Sequence, residues 1–239
     1  MNNAPLEFDL VSLDVFGTLL DLQGAQDSFW HRLDASLSTE AVADIWAACD
    51  GIFFAEFEAG VRDTDGFRTT SAVFKASFEK LFREFDLHHD SAAAAGLYLD
   101  CLVSTPLYPD TRPFLELAGA KYPLCLSCDA DNEMLARPRR LCSFKHVFTS
   151  EDLRTYKVYG NGIFFQKVVE RSGVAASRII HVGDTPIEMA GAKKAGLVTC
   201  WLNRTGKDWP YPNRPDYEVH SLLDVAKLVG VNDENDAVR

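Results

Sequence analysis

The run LEFDLVSLDVFGTLLD (residues 6–21) is a mostly apolar strand that breaks at Gly17. A strand ending this way delivers Asp14 to a turn, and the rest of the chain shows what kind of sheet receives it. From Ser38 to Gly60, residues Val42, Ile45, Trp46, Cys49, Phe53 and Phe57 recur at helical spacing, with Gly60 as the expected stop. Phe74, Phe78, Leu81, Phe82 and Phe85 repeat the pattern, and Ser91 to Val103 continues it with alanines. This block carries no strand signal. After TPLYPD (105–110) the texture alternates. A short helix over 113–120 is followed by the strand YPLCLS (122–127), the segment HVFTS (146–150) and a helix through Phe165, Val168 and Val169 that ends at Gly173. Then come the strand RIIHVGD (178–184), a helix from Pro186 to Ala195 stopped by Gly196, and LVTCWL (197–202) as the last strand. Strands alternating with helices predict an α/β fold, a doubly wound parallel sheet. Residues 1–21 and 105–239 are expected to form its core domain, and residues 22–104 a helical cap that leaves just after Asp14 and sits over that edge as a lid. The polar tail VNDENDAVR (231–239) is expected to fray.

Composition excludes several classes. A chain of 239 residues, 47% hydrophobic, buries about 70–75% of its unfolded surface, so its core needs no staples. Thirty-five acidic against 24 basic residues leave a net charge of −11 with no local basic patch, which argues against nucleic-acid and anionic-membrane partners. The start MNNAPLEFDL has neither a basic opening nor a long apolar stretch, and no window of about 18 apolar residues follows. A cytoplasmic location is expected. The six cysteines stand in mostly apolar company, as reduced core thiols do. Cys125 and Cys128 share the C-x-x-C spacing of redox and zinc sites, but they end an apolar run rather than open a helix, and no second pair follows.

In doubly wound sheets ligands gather beyond the carboxyl ends of the strands, where strand order reverses. The residues placed there are Asp14, then Ser127 and Cys128, then Gly183 and Asp184, with Glu188 close behind. Carboxylates gathered at one edge repel one another unless a cation lies among them, and Mg²⁺ takes oxygen ligands of this kind. Mg²⁺ is the implied cofactor. Asp14 is the natural nucleophile, because the turn of Phe16, Gly17 and Thr18 exposes it and offers backbone N–H groups to a phosphoryl oxygen. Ser127 is placed to hydrogen-bond another oxygen. Lys157, in RTYKVYG (154–160), is placed to neutralise both phosphate and nucleophile.

The order LDVFGTLLD, CLS, a lysine in SEDLRTYK, then HVGDTPIEMAGAKKAG resembles the haloacid dehalogenase-like (HAD) hydrolase superfamily along nearly the whole chain. The resemblance implies a Rossmannoid core with a helical cap inserted after the first strand, and covalent catalysis by aspartate on a small-molecule substrate. It assigns Asp14 as nucleophile, Ser127 and Lys157 as stabilisers, and Asp184 with Glu188 as the acidic metal pair. Two departures stand out. Phosphatases of the superfamily carry a second aspartate, an acid and base, two places after the nucleophile. Phe16 stands there, able to lend a metal only its backbone carbonyl. Losing such a group typically costs about 10²–10⁴-fold in rate. Dehalogenases place an aromatic tyrosine there, since halide leaves unprotonated, but they work without metal, whereas GDTPIE has the metal-binding form. The second departure is Cys128, where asparagine is common; a thiol is a weak donor to substrate. The resemblance thus leaves a Mg²⁺-dependent phosphatase, a 2-haloacid dehalogenase and a ligand- or partner-binding homologue with weak catalysis.

Structural readings compete with these roles. Thr185-Pro186-Ile187-Glu188 has the form of a capping box, which would employ Glu188 without any metal. His181 reads as a structural residue inside its strand. Phe53, Phe54 and Phe57 read as cap core, and Arg62 and Arg68 as the better candidates for substrate contact.

Overall fold

All four residues of β1 (Leu10–Leu13) are buried, so this strand needs cover on both faces and a neighbour on either side. The structure, a computed structural model, describes residues 7–22, 25–62 and 66–231. It pairs β1 in parallel with β2 (Leu124–Cys128) on one side and β4 (Ile179–Gly183) on the other. β3 (His146–Thr149) lies outside β2, while β5 (Val198–Leu202) and β6 (Tyr217–Val219) lie beyond β4. The order β3-β2-β1-β4-β5-β6 reverses between β1 and β4, which is where a doubly wound sheet opens a ligand crevice. Leu13 is level with Leu126 and with Val182, so Asp14 and Asp184 emerge beside one another at that crevice.

One face of the sheet packs on α5 (Thr111–Gly119) and α9 (Leu222–Leu228), where Phe114, Leu115 and Val225 meet Val11, Leu126 and Val182. The other face packs on α6 (Ser150–Leu153), α7 (Ile163–Ser172) and α8 (Pro186–Lys194), with Phe164, Phe165 and Val168 against Leu10 and Ile179. Cys125 belongs to the second core and Cys128 to the first. An odd separation along a strand sends two side chains to opposite faces, so the C-x-x-C cannot pinch a metal or close a disulfide; both thiols are free.

Between β1 and β2 the described chain is helical: α1 (Ala25–Leu33), α2 (Thr39–Arg62), α3 (Thr70–Glu84) and α4 (Ser91–Ser104). Their facing sides share aromatic rings, with Phe29 5.1 Å from Phe78 and 5.3 Å from Tyr98. The block is fastened over the carboxyl edge of the sheet. Asp131, in the loop after β2, caps α3 by accepting the N–H groups of Thr70 (2.7 Å) and Ser71 (2.9 Å). From the turn after α6, Tyr156 donates its hydroxyl to the Arg68 carbonyl (2.7 Å) and Tyr159 donates to the Phe57 carbonyl (2.5 Å).

Two expectations change. α2 runs through Gly60 to Arg62, since a single glycine costs a helix only about 1 kcal/mol. LVTCWL is not the last strand: β6 and α9 follow, and β6 is a three-residue, half-exposed edge strand too short to show a period. The tail lies outside the described residues beyond Val231. Among the described residues no helix is long and apolar enough to cross a membrane.

Candidate active site

Asp14 leaves β1 with its N–H bonded to the Val182 carbonyl (2.9 Å), and its side chain is buried. The chain then turns at Gly17, whose φ is +89°. A Cβ on Gly17 would collide with the Asp184 carboxylate, and one on Gly183 would collide with Glu188. Glycine at both places lets a carboxylate approach the backbone closely, and at Gly17 the positive φ favours it as well. Glu188 itself fulfils two readings with its two oxygens. Oε1 accepts the Thr185 N–H (3.1 Å), completing the capping box, while Oε2 accepts from Lys157 Nζ (2.5 Å).

Lys157 Nζ also lies 2.5 Å from Asp14 Oδ1, so one ammonium serves two acids. Asp14, Asp184 and Glu188 each present an oxygen within 4.8 Å of the others, and this group of three acids and one lysine carries an excess of negative charge when ionised. The titration behaviour follows. Burial, then the charge of Glu188, push Asp14 up to about 6 against the pull of Lys157. Burial, then the charges of Asp14 and Glu188, push Asp184 well above its ordinary range. Burial works against ionised Glu188 too, but Lys157 and His181 outweigh it and hold it at about 2. Burial disfavours the Lys157 ammonium, yet Asp14 and Glu188 raise its pKa well above the ordinary value. Asp14 Oδ2 is buried with no protein hydrogen-bond partner among the described residues. An all-oxygen donor set with one orphaned carboxylate oxygen fits a hard divalent cation such as Mg²⁺.

Asp14, Phe16, Cys128, Lys157, Asp184 and Glu188 line one pocket of about 140 Å³. Other expected residues lie differently. Ser127 is not among the residues lining this pocket: it is fully buried and its Oγ accepts the Ser12 hydroxyl (2.8 Å). The Gly17 N–H, expected to face a phosphoryl oxygen, is already donated to the Leu20 carbonyl (2.9 Å). Thr18 is buried and its carbonyl accepts from Arg204 Nη2 (3.0 Å), so it anchors the loop instead of lining the pocket. The Cys128 thiol is pushed far up by burial and by Asp14; it is a protonated packing group. His181 is structural, its Nδ1 2.9 Å from Ser12 Oγ and its Nε2 3.4 Å from Glu188 Oε2, and burial holds it neutral. Arg68 is taken by Glu56 (3.1 Å), and the side chain of Arg62 lies outside the described residues.

Two features escape sequence reasoning. Asp129, directly after β2, lines the same pocket, and its carboxylate accepts the N–H groups of Lys157 (2.7 Å) and Val158 (3.1 Å). Its only sequence signal is an acid one place beyond Cys128. Phe53 and Phe57 pack against the hydrophobic core as read, and together with the exposed Phe54 they also line an apolar cavity of about 280 Å³ that shares Phe16, Asp129 and Val158 with the acidic pocket. Phe54 is 54% exposed. A larger cavity of about 590 Å³, between α8 and the Trp209–Pro215 loop, contains no carboxylate in its lining and is not a rival for the chemistry.

A parallel sheet with acids converging at its reversal point, and helices inserted after the first strand, is the arrangement expected from the motif order. The family model described as haloacid dehalogenase-like hydrolase matches residues 8–196, and the chain belongs to that family. It is 24% identical to pyrimidine 5'-nucleotidase PynA of Streptococcus pneumoniae (strain ATCC BAA-255 / R6), covering 94% of this chain and 96% of that one. It is 28% identical to (S)-2-haloacid dehalogenase 4A of Burkholderia cepacia, covering 92% and 94%. Among solved structures, the HAD-hydrolase YfnB from Bacillus subtilis bound to magnesium superposes with a TM-score of 0.78 at 23% identity, over 95% of this chain and 100% of that one. Both a phosphatase and a dehalogenase are thus among the similar proteins.

Proposed function

We propose that the protein is a Mg²⁺-dependent phosphatase that hydrolyses a small phosphorylated molecule through an aspartyl-phosphate on Asp14. The observation that carries this reading is the convergence of Asp14, Asp184 and Glu188 around a single lysine, which leaves a cation-shaped deficit of positive charge. Asp14 and Asp184 would hold the ion, with the Phe16 carbonyl and Glu188 beside them. When bound, Mg²⁺ supplies positive charge that lets a phosphate dianion approach an acidic nucleophile. The chain's own residues do the rest. Asp14 attacks, while Lys157 holds its Oδ1 and so fixes the carboxylate plane. Residues 22–104 act as the cap, and the apolar cavity under it receives the organic part of the substrate. The six cysteines are thiols and not disulfides, which supports a reducing, cytoplasmic setting.

Dehalogenation of a 2-haloacid is the second reading, favoured by one observation: the Phe16 ring lines the pocket beside Asp14 where a proton donor would otherwise stand. The two readings separate on a panel of phosphomonoesters and 2-haloacids. Phosphate release abolished by a chelator and by Asp14→Asn supports the phosphatase; halide release indifferent to the chelator overturns it in favour of the dehalogenase.

A further inference from the structure

We infer that Asp129 is the proton-transfer group of this active site, giving a proton to the departing alcohol and taking one from the attacking water in place of the acid that Phe16 replaces. The inference rests on the phosphatase reading. Four observations carry it. Asp129 lines the acidic pocket with Asp14 and also the apolar cavity with Phe53 and Phe57. A substrate with its phosphoryl group at Asp14 and its organic part under the cap has its scissile oxygen at that junction. Asp129 stands outside the group of three acids suited to a metal, so its proton is not displaced by the cation. It is half-buried, open to a ligand on one side and anchored on the other by the Lys157 and Val158 amides at 2.7 and 3.1 Å. Finally, the other acid–base groups lining the pocket have other work: Asp14, Asp184 and Glu188 form the group suited to the cation, Lys157 is committed to Asp14 and Glu188, and the Cys128 thiol is too weak an acid.

The surroundings suit the task. Lys157 and the two amides favour the carboxylate, Glu188 opposes it, and Tyr156 and Cys128 are neutral neighbours; burial is the largest influence and brings Asp129 to about 7. Both protonation states are then populated at neutral pH, as acid–base catalysis requires. In the first step Asp14 forms a bond to phosphorus, the bond from phosphorus to the alcohol oxygen breaks, and that oxygen takes the Asp129 proton. In the second, water bonds to phosphorus and gives one proton to the Asp129 carboxylate, while Asp14 leaves as a carboxylate. Substrate and water become alcohol and phosphate, and Asp129 ends protonated as it began.

The test compares Asp129→Asn on two substrates, an alkyl phosphate, whose leaving group needs a proton, and 4-nitrophenyl phosphate, whose leaving group does not. We expect kcat/KM to fall about 10²–10⁴-fold on the alkyl ester and less than about tenfold on the aryl ester. Phe16→Asp in the Asp129→Asn background should restore part of the alkyl activity. In the unaltered protein, activity on the alkyl ester should decline above about pH 7, with no such decline on the aryl ester. Equal losses on both esters, as would follow if Asp129 only anchored the Lys157 turn, overturn the inference but leave the phosphatase reading intact. Absence of any phosphate release by the unaltered protein overturns both.

Discussion

Replacing Lys157 by methionine removes the one cation that Asp14 and Glu188 share. Lys157 is 4% exposed and lies 2.5 Å from an oxygen of each. Breaking a buried ion pair by deleting one partner typically costs about 3–5 kcal/mol, because the other charge is left uncompensated. Lys157 and His181 hold Glu188 below its ordinary 4.5, at about 2, against burial, and because the folded-state value is the lower one, this contribution is complete above pH 4.5 and is lost as pH falls toward 2. Asp14 is protonated near pH 6, so the deficit of Lys157→Met should be full at pH 7, begin to shrink near pH 6 and shrink further below about pH 4.5. Urea denaturation at pH 7 with a chelator should show a loss of about 3–5 kcal/mol at constant slope, with a melting point lowered by about 6–20 °C. All three acids remain in the variant, so Mg²⁺ should bind it more tightly than the parent, and saturation at a hundredfold excess over Kd should return about 2.7 kcal/mol. A loss below about 1 kcal/mol, or no stabilisation by Mg²⁺, would refute the argument that the lysine and the cation balance the same charges.

Four further outcomes follow from the same geometry. Asp14 is raised to about 6, so its favourable contribution is present below the ordinary 3.8 and lost as pH rises through about 6. Asp14→Asn should then raise the metal-free melting point at pH 7 to 8 while abolishing turnover, and a lowered melting point would contradict this. Since Mg²⁺ must displace protons from Asp14 and Asp184, its apparent affinity should fall as pH drops below about 6, with proton release visible as a buffer-dependent heat in calorimetry; pH-independent affinity would count against it. Gly17→Ala should cost about 1–3 kcal/mol in denaturation experiments for its positive φ and weaken Mg²⁺ binding by displacing Asp184; unaltered binding would argue against that packing. Phe54→Ala should change stability by no more than about 0.5 kcal/mol yet raise KM for aryl phosphates relative to small polar ones; equal effects on both would remove Phe54 from the binding surface.

The core strands were legible because strands buried on both faces read as apolar runs, as in Leu10–Leu13 and Ile179–Gly183. The stops at Gly173 and Gly196 were legible because both adopt the positive φ that favours glycine. Asp14, Lys157, Asp184 and Glu188 followed from motif order, and they do converge. Ser127 also followed from motif order, but its hydroxyl is bonded to Ser12 (2.8 Å) and it does not line the pocket, which the spelling CLSCD does not show. With Cys128 still in β2, the pocket falls to Cys128 and Asp129. An aspartate after a strand resembles any turn former, so Asp129 stood out only once the Lys157 and Val158 amides were seen donating to it. Phe53 and Phe57 fit a helical apolar stripe, and only the packing shows that the stripe widens into a cavity beside Phe16.

Attack by the Asp14 carboxylate would leave a covalent trace, which can be sought by acid-quenching the protein during turnover of a phosphomonoester with Mg²⁺ and weighing the peptide that spans residues 8–21. A phosphoryl adduct is expected on that peptide, located at Asp14 and absent after Asp14→Asn. Sustained phosphate release with the peptide always unmodified, or an adduct located on another residue, would contradict it.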